Sequence, residues 1–307
     1  MKKLDRIKLL IFSLTLCISS IGADEKPRLK DYAGSVYSQN GEDGIIQKIF
    51  EIIGITSRRC LEVGGGDGPY GSNIARLWRE CGWKGVLIEA DPFRLSTLES
   101  SLEGYPNCTL VKSYIEKDES LGLTIDSIVA DLGIDETFDL VSIDLDGNDY
   151  YIFESLKMHP RVVIVEFNHT IPYYRDVYQQ YSEHSWEIGC SVAALKRLGK
   201  EKGYELVALT LCNAIFVDAF YAEEFKDFET SLEKMFDTQY LKNIILTYSG
   251  DPIVVAKMNY LSDGFFKIGY DKDMNCHDCY ILKINEIDLN DDDLAKNFPG
   301  FPKYKPK

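Results

Sequence analysis

The run Arg59-Cys60-Leu61-Glu62-Val63-Gly64-Gly65-Gly66-Asp67-Gly68 constrains the fold of this 307-residue chain more than any other stretch. A β-prone segment carrying one acid ends in a glycine-rich turn with a second acid inside it. Glycine admits positive φ and lets a ligand approach main-chain atoms. Such a turn at a strand end is a backbone loop laid against a ligand, and its carboxylates decide which charge it tolerates.

Glu62 and Asp67 repel a pyrophosphate but favour a cation, such as the sulfonium and amino group of S-adenosylmethionine. Within the same stretch, Gly66-Asp67-Gly68-Pro69-Tyr70-Gly71 matches the dinucleotide pattern G-x-G-x-x-G by letters. That pattern needs its first glycine directly after the strand and its third inside a helix. Here three glycines already follow the strand, and an Asp stands where a phosphate would lie. The loop therefore reads as E-x-G-x-G-x-G for a methyl donor. An NAD-dependent enzyme is the weaker alternative.

The rest of the chain to about residue 220 alternates short apolar runs with amphipathic segments. A helix is expected around Gly44 to Phe50, capped by Asn40, with Asp43 three residues on. Strands are expected at 60–63, 85–89, 109–112, 140–143, 162–165, 204–209 and 214–217. Helices are expected from Asn73, from Asp91-Pro92, over 120–130, after Tyr150 and through Val192 to Leu198. This pattern predicts a mostly parallel α/β sheet covered on both faces. The short link between the last two strands predicts an antiparallel edge hairpin.

Ligands bind such sheets outside the carboxyl ends of the strands. The chain places an acid there four times, as Glu62, Glu89, Asp144 and Glu166. Charges at buried strand ends are costly unless they serve a partner. Glu89, about 25 residues after the glycine loop, stands where a carboxylate accepts hydrogen bonds from a ribose diol. Gly64, Gly66, Asp67 and Asp91 complete the expected donor site. For Asp91 a helix-capping role is the simpler alternative. Asp144, Asp146, Glu166 and Asn168 form an oxygen-rich cluster suited to Mg²⁺ or Ca²⁺. Equally, Asp144 would orient the acceptor while Asn148 caps the next helix. His169 follows the cluster and either has the role of a general base near neutral pH, for which its chemistry is suited, or is a loop histidine with no such role. Tyr173, Tyr174, Tyr178, Tyr181 and Trp186 would stack on an acceptor or serve as core.

The net charge of -15 argues against non-specific nucleic-acid binding. Lys2, Lys3, Arg6 and Lys8 precede an apolar run from Leu9 to Ile21, which reads as a signal peptide or N-terminal anchor over 1–23. An exported or membrane-anchored protein is the expectation, with a cytoplasmic one if the segment is not processed. Cys60, Cys81, Cys108, Cys190 and Cys212 read as buried small hydrophobes. Cys276-His277-Asp278-Cys279 is a lone C-x-x-C. The organisation expected is a domain over 24–220 and an accessory segment over 221–307.

Together, Ser38 to Gly44, Leu61 to Gly68, Gly85 to Pro92, Ser142 to Tyr150, Val162 to Asn168 and Gly189 to Val217 resemble the FkbM-like methyltransferases. These are S-adenosylmethionine-dependent O-methyltransferases, and the resemblance covers roughly residues 35 to 220. It implies a seven-stranded Rossmann-like sheet of class I methyltransferase type, with Glu62, Gly64, Gly66 and Glu89 at the donor and Asp144 at the reacting centre. It also implies methylation of a hydroxyl on a sugar, lipid or small metabolite. Leu145-Asp146-Gly147 replaces the Val-Glu-Gly of many members. A leader-like N-terminus is at odds with a cytosolic donor and keeps a second reading in view, an exported binding protein that retains the fold without catalysis.

Overall fold

The computed structural model describes residues 26–181 and 188–241, together with the backbone of four short strands further along the chain. Its centre is a seven-stranded sheet in the order β3-β2-β1-β4-β5-β7-β6. The strands are β1 Arg59–Val63, β2 Lys84–Glu89, β3 Cys108–Lys112, β4 Leu140–Ile143, β5 Val162–Glu166, β6 Tyr204–Leu209 and β7 Asn213–Asp218. β1 to β5 pair in parallel, and β7 runs antiparallel to both β5 and β6. This is the Rossmann-like, class I methyltransferase-type sheet, with the predicted edge hairpin in place. The buried strands are near-continuous Val, Ile and Leu because both faces are covered.

Period-two alternation sorts the core into two layers. Leu61, Val63, Ile143 and Val165 pack with the helices Ile125–Asp131, Asp149–Ser155 and Val192–Glu201. Cys60, Leu87, Leu140 and Ile164 pack on the other face with the helices Glu42–Ile53 and Ala75–Glu80. In the 42–53 helix, Ile45, Ile46 and Ile49 supply the buried stripe at helical spacing.

That helix starts differently from the expectation. Its N-cap is Gly41 at φ 91, and Asn40 instead directs its amide to Cys212 Sγ at 3.4 Å. Asp43, in the first turn, accepts the backbone N–H groups of Val36, Tyr37 and Ser38 at 2.8–2.9 Å. A carboxylate that gathers three amides fixes the preceding loop more firmly than an Asn cap would.

At the amino edge of the sheet, Arg161 and Asp139 form a buried pair at 2.8 Å. Asp139 also takes hydrogen bonds from Thr56, Ser57 and Arg58, while Arg161 donates to Ile53 O, Gly54 O and Tyr221. Burial pushes the Asp139 carboxyl up, but the bonds from Thr56, Arg161 and Arg58 outweigh it and hold it below the usual range.

Packing continues past residue 220, where Phe225, Met235 and Phe236 are buried against the two layers. The expected boundary at 220 therefore lies inside the packed unit. Among the cysteines, Cys60 and Cys190 are buried as expected and Cys81 is exposed. Cys279 and the segment 1–23 lie outside the described residues. Among the described residues, no helix is long and apolar enough to cross a membrane.

Candidate functional site

Alternation places Glu62, Glu89, Asp144 and Glu166 in phase with the layer that contains Cys60, Leu87, Leu140 and Ile164. The four acids therefore leave the sheet at its carboxyl edge on one face. They do not share one chemistry, because their hydrogen-bond partners differ.

On the donor side, the glycine loop is folded back on the sheet. Gly64 and Gly65 donate their N–H groups to Ile88 O at 3.0 and 3.1 Å. Gly64 adopts φ 78, and a Cβ there would lie 1.8 Å from the carbonyl oxygen of Asp144. Only glycine lets the β1 loop touch the end of β4. Gly66, at φ 61, has nothing within 4 Å of a would-be Cβ, so that part of the loop faces open space. Asp67 is exposed beside it.

Glu62 is buried and points into the loop's return. It accepts Ser72 Oγ at 2.5 Å and Asn73 N at 2.7 Å. Burial pushes its carboxyl up to about 8 against those two bonds, with the nearby Asp144 adding to the rise. It therefore positions the loop from behind. Glu89 accepts Gly66 N, Ala90 N and Asp91 N, each at 2.8 Å. A carboxylate has about four acceptor sites, so Glu89 retains one for a ribose hydroxyl rather than two. Asp91 is the N-cap of the Pro92–Ser101 helix and accepts Phe93 N at 2.8 Å. One of its oxygens is used in capping, and the other lies 3.7 Å from Arg94 Nε.

The other half of the edge is a knot of acids. Asp144, Asp146 and Glu166 bring one carboxylate oxygen each to within 4.8 Å of one another. Asp146 sits in the left-handed region at φ 55, and its N–H donates to Glu166 at 3.2 Å. Asp149 receives Leu145 N at 2.7 Å and Gly147 N at 2.9 Å, so the 144–149 loop is wound around its carboxylate. Asn148 stands at the N-cap position of the next helix without a capping hydrogen bond, and its Oδ1 accepts Gln179 Nε2 at 3.3 Å.

Burial, then Asp146, pushes Asp144 up to about 6, while a hydrogen bond from Glu166 works against the rise. Glu166 is held well above the carboxylate range by burial and by Asp144, Asp149 and Asp146. Burial and Asp144 push Asp149 up to about 7. Burial and the neighbouring acids thus push both carboxyls of the hydrogen-bonded Asp144–Glu166 pair up.

Three oxygens of this kind suit a hard divalent cation. Asn168 does not join them. Its Oδ1 accepts Thr170 N and Oγ1, and its Nδ2 donates to Ile188 O. His169 is half-buried, edge-on to Tyr240 at 5.8 Å.

Sequence reasoning passed over Glu42, Thr210 and Asn213. Glu42 is fully buried and accepts Asn40 N, Thr210 Oγ1 and Asn213 Nδ2 at 2.7–3.0 Å. It stands close enough to Asp144 to raise that carboxyl. The only available signal was the acid itself, at the start of an otherwise apolar helix face. The tyrosines mostly pack on one another: Tyr178 stacks on Tyr150 at 4.0 Å, and Tyr151 meets both Tyr178 and Tyr181 edge-on. Trp186 lies outside the described residues. A cavity of about 340 Å³ lined by Lys117, Asp118, Thr124, Asp126, Ser155 and Lys157 contains none of the strand-end acids.

No family model and no curated protein matches this chain. Solved structures similar to it include a SAM-dependent methyltransferase and a glycopeptide N-methyltransferase. The N-terminal domain of EvdMO1, in the presence of SAH and D-fucose, is 17% identical, with 60% of this chain and 84% of that chain covered at a TM-score of 0.38. A SAM-dependent methyltransferase from Aquifex aeolicus is 16% identical over 56% and 87% at 0.34. The glycopeptide N-methyltransferase MtfA complexed with SAH is 12% identical over 66% and 94% at 0.35. The fold stands on the strand order and register given above, and these likenesses assign no residue a role.

Proposed function

We propose that this protein is an S-adenosylmethionine-dependent methyltransferase of the FkbM-like kind, acting on a hydroxyl of a sugar, lipid or small metabolite. The observation that carries this reading is the contact between Gly64 and the Asp144 carbonyl, which sets an open glycine loop against the strand end that carries Asp144. When bound, the donor would supply an electrophilic methyl on a sulfonium. The backbone at Gly64–Gly66, the exposed Asp67 and the remaining acceptor site of Glu89 would hold it.

Asp144 orients the acceptor hydroxyl and takes its proton as the oxygen–carbon bond forms and the carbon–sulfur bond breaks. Holding the two reactants in line supplies much of the acceleration. His169 is the second candidate base, at the end of β5. If the enzyme uses Mg²⁺ or Ca²⁺, its ligands are Asp144, Asp146 and Glu166, and the ion would lower the acceptor hydroxyl's pKa. The leader-like 1–23 segment supports export or membrane anchoring, and with it the second reading of a non-catalytic exported protein.

S-adenosylhomocysteine at about 100 times its dissociation constant should stabilise the fold by about 2.7 kcal/mol. Glu89→Ala should abolish that stabilisation. Asp144→Asn should retain it while stopping methyl transfer, and normal turnover in that variant would remove Asp144 from the chemistry. No thermal response to S-adenosylhomocysteine would favour the non-catalytic reading.

A further inference from the structure

The segment 36–43 joins the two halves of the carboxyl edge. At one end, Tyr37 O accepts Gly71 N at 2.7 Å, and a Cβ on Gly71 would lie 3.3 Å from Gln39 Nε2. Gly71 immediately precedes Ser72 and Asn73, through which Glu62 holds the return of the glycine loop from behind. At the other end, Glu42 accepts Thr210 Oγ1 at 2.7 Å and Asn213 Nδ2 at 3.0 Å, and Asn40 Nδ2 donates to Cys212 Sγ at 3.4 Å. Thr210, Cys212 and Asn213 lie where β6 turns into β7, and Asn213 stands opposite Glu166 in the register.

Between these two ties the segment is closed on itself. Gly34 N donates to Gly41 O at 3.2 Å, and Gly44 N donates to Gly34 O at 3.0 Å. Asp43 holds the amides of Val36, Tyr37 and Ser38, and its own N–H donates to Ser38 Oγ at 3.1 Å. A loop with this many internal bonds shifts as one piece, so its position at Gly71 depends on its tie at Thr210. Glu42 is fully buried, and the three groups that donate to it are neutral. Taking a carboxylate out of water without a countercharge is costly, and an apolar side chain would fill the same space. What the carboxylate adds is three bonds of fixed direction, two of them to residues 168 and 171 positions away.

We propose that Glu42 and Thr210 are positioning residues for the donor loop. They hold the 36–43 segment as a strap, and the strap keeps Gly71, with the loop's return, in the place that receives S-adenosylmethionine. Neither residue belongs to the glycine loop; both act on it through Tyr37 O. The word donor rests on the methyltransferase reading, whereas the link from Thr210 to Gly71 does not. Donor affinity therefore depends on a hydroxyl in a turn that shares neither strand nor loop with the donor site.

The test titrates S-adenosylhomocysteine into the full chain by calorimetry and reads amide hydrogen exchange at Gly71 by NMR. Thr210→Val replaces the hydroxyl that bonds Glu42 by a methyl group. It should weaken S-adenosylhomocysteine binding by about fivefold or more and speed exchange at Gly71. Thr210→Ser keeps the hydroxyl and should restore both. Glu42→Gln, of equal size, sets an amide N–H against one of the three donors and should act as Thr210→Val does. Arg161→Met, which disturbs the opposite edge of the sheet, should change neither readout below its own unfolding midpoint.

Unchanged affinity in Thr210→Val and Glu42→Gln would overturn the proposal, even with faster exchange at Gly71, because the strap would then serve the fold alone. An equal loss of affinity in Arg161→Met would overturn it too, by making the effect one of general stability. If the unaltered chain ignores S-adenosylhomocysteine, the donor reading fails. Faster Gly71 exchange in Thr210→Val would then still establish the link, and unchanged exchange would sink it as well.

Discussion

The two edges of the central sheet carry the same residue type in opposite states. At the amino edge, Asp139 lies under Arg161 with Thr56, Ser57 and Arg58 around it, and its carboxyl is held below the ordinary range. At the carboxyl edge, Glu62 and Asp149 are buried, Asp144 and Glu166 are half-buried, and all four carboxyls are pushed up. Both edges are equally part of the fold. The difference is that one charge is matched by the protein itself, whereas the other set is shared between acids and protons. A folded chain keeps such an arrangement only where something else completes it.

Gly64→Ala should break the carboxyl edge outright. Left-handed backbone alone costs about 1–2 kcal/mol for a non-glycine residue, and the Cβ would also overlap the Asp144 carbonyl at 1.8 Å. Loss of S-adenosylhomocysteine binding together with a lowered unfolding midpoint is the expected result. Arg161→Met should break the amino edge, costing about 3–5 kcal/mol because it strands a buried carboxylate. Its donor affinity, measured below the new midpoint by calorimetry, should be unchanged. A coupled loss would show that the two edges are not independent.

The pH dependence of stability sharpens the same contrast. Carboxyls in an unfolded chain titrate near pH 4, while Glu62, Asp144 and Asp149 titrate at about 8, 6 and 7 in the fold. The folded state binds these protons more tightly. The stability they contribute is therefore complete below about pH 4 and is lost as pH rises through 6 to 8. Glu62→Gln should flatten the upper part of that fall in urea denaturation at stepped pH. Asp139 acts in the opposite direction: its contribution is complete above the ordinary carboxylate range and is lost as pH falls below it. The smallest effect is expected from Asp91→Ala, about 1 kcal/mol for a lost N-cap, with donor affinity little changed. A large loss of affinity would return Asp91 to the donor site.

Most of the sheet was legible because apolar runs with acids at their ends are local signals. The edge hairpin was legible from the short link between Leu209 and Asn213. Local signals also misled where two mechanisms compete for one function. Asn40 looked like a helix cap, yet Gly41 holds the N-cap position and Ser38 Oγ accepts the Asp43 N–H. Sequence position already favoured the cap for Asp91 over Glu89, and the hydrogen bonds add that Glu89 clamps the glycine loop at Gly66. Phase on the sheet, which puts four acids on one face, was implicit in the alternation once the core residues were known. The bond from Glu42 to Asn213 spans 171 residues and leaves no periodic trace at all.

That bond also bears on the order in which the site is completed during synthesis. The glycine loop, Glu62 and Glu89 lie within the first third of the chain. The buried network around Glu42 waits for Thr210 and Asn213 to emerge and return to it. Contacts of such sequence separation form late because the loop they close must be ordered first. On the ribosome, a nascent chain should bring its glycine loop together well before the network around Glu42 can close.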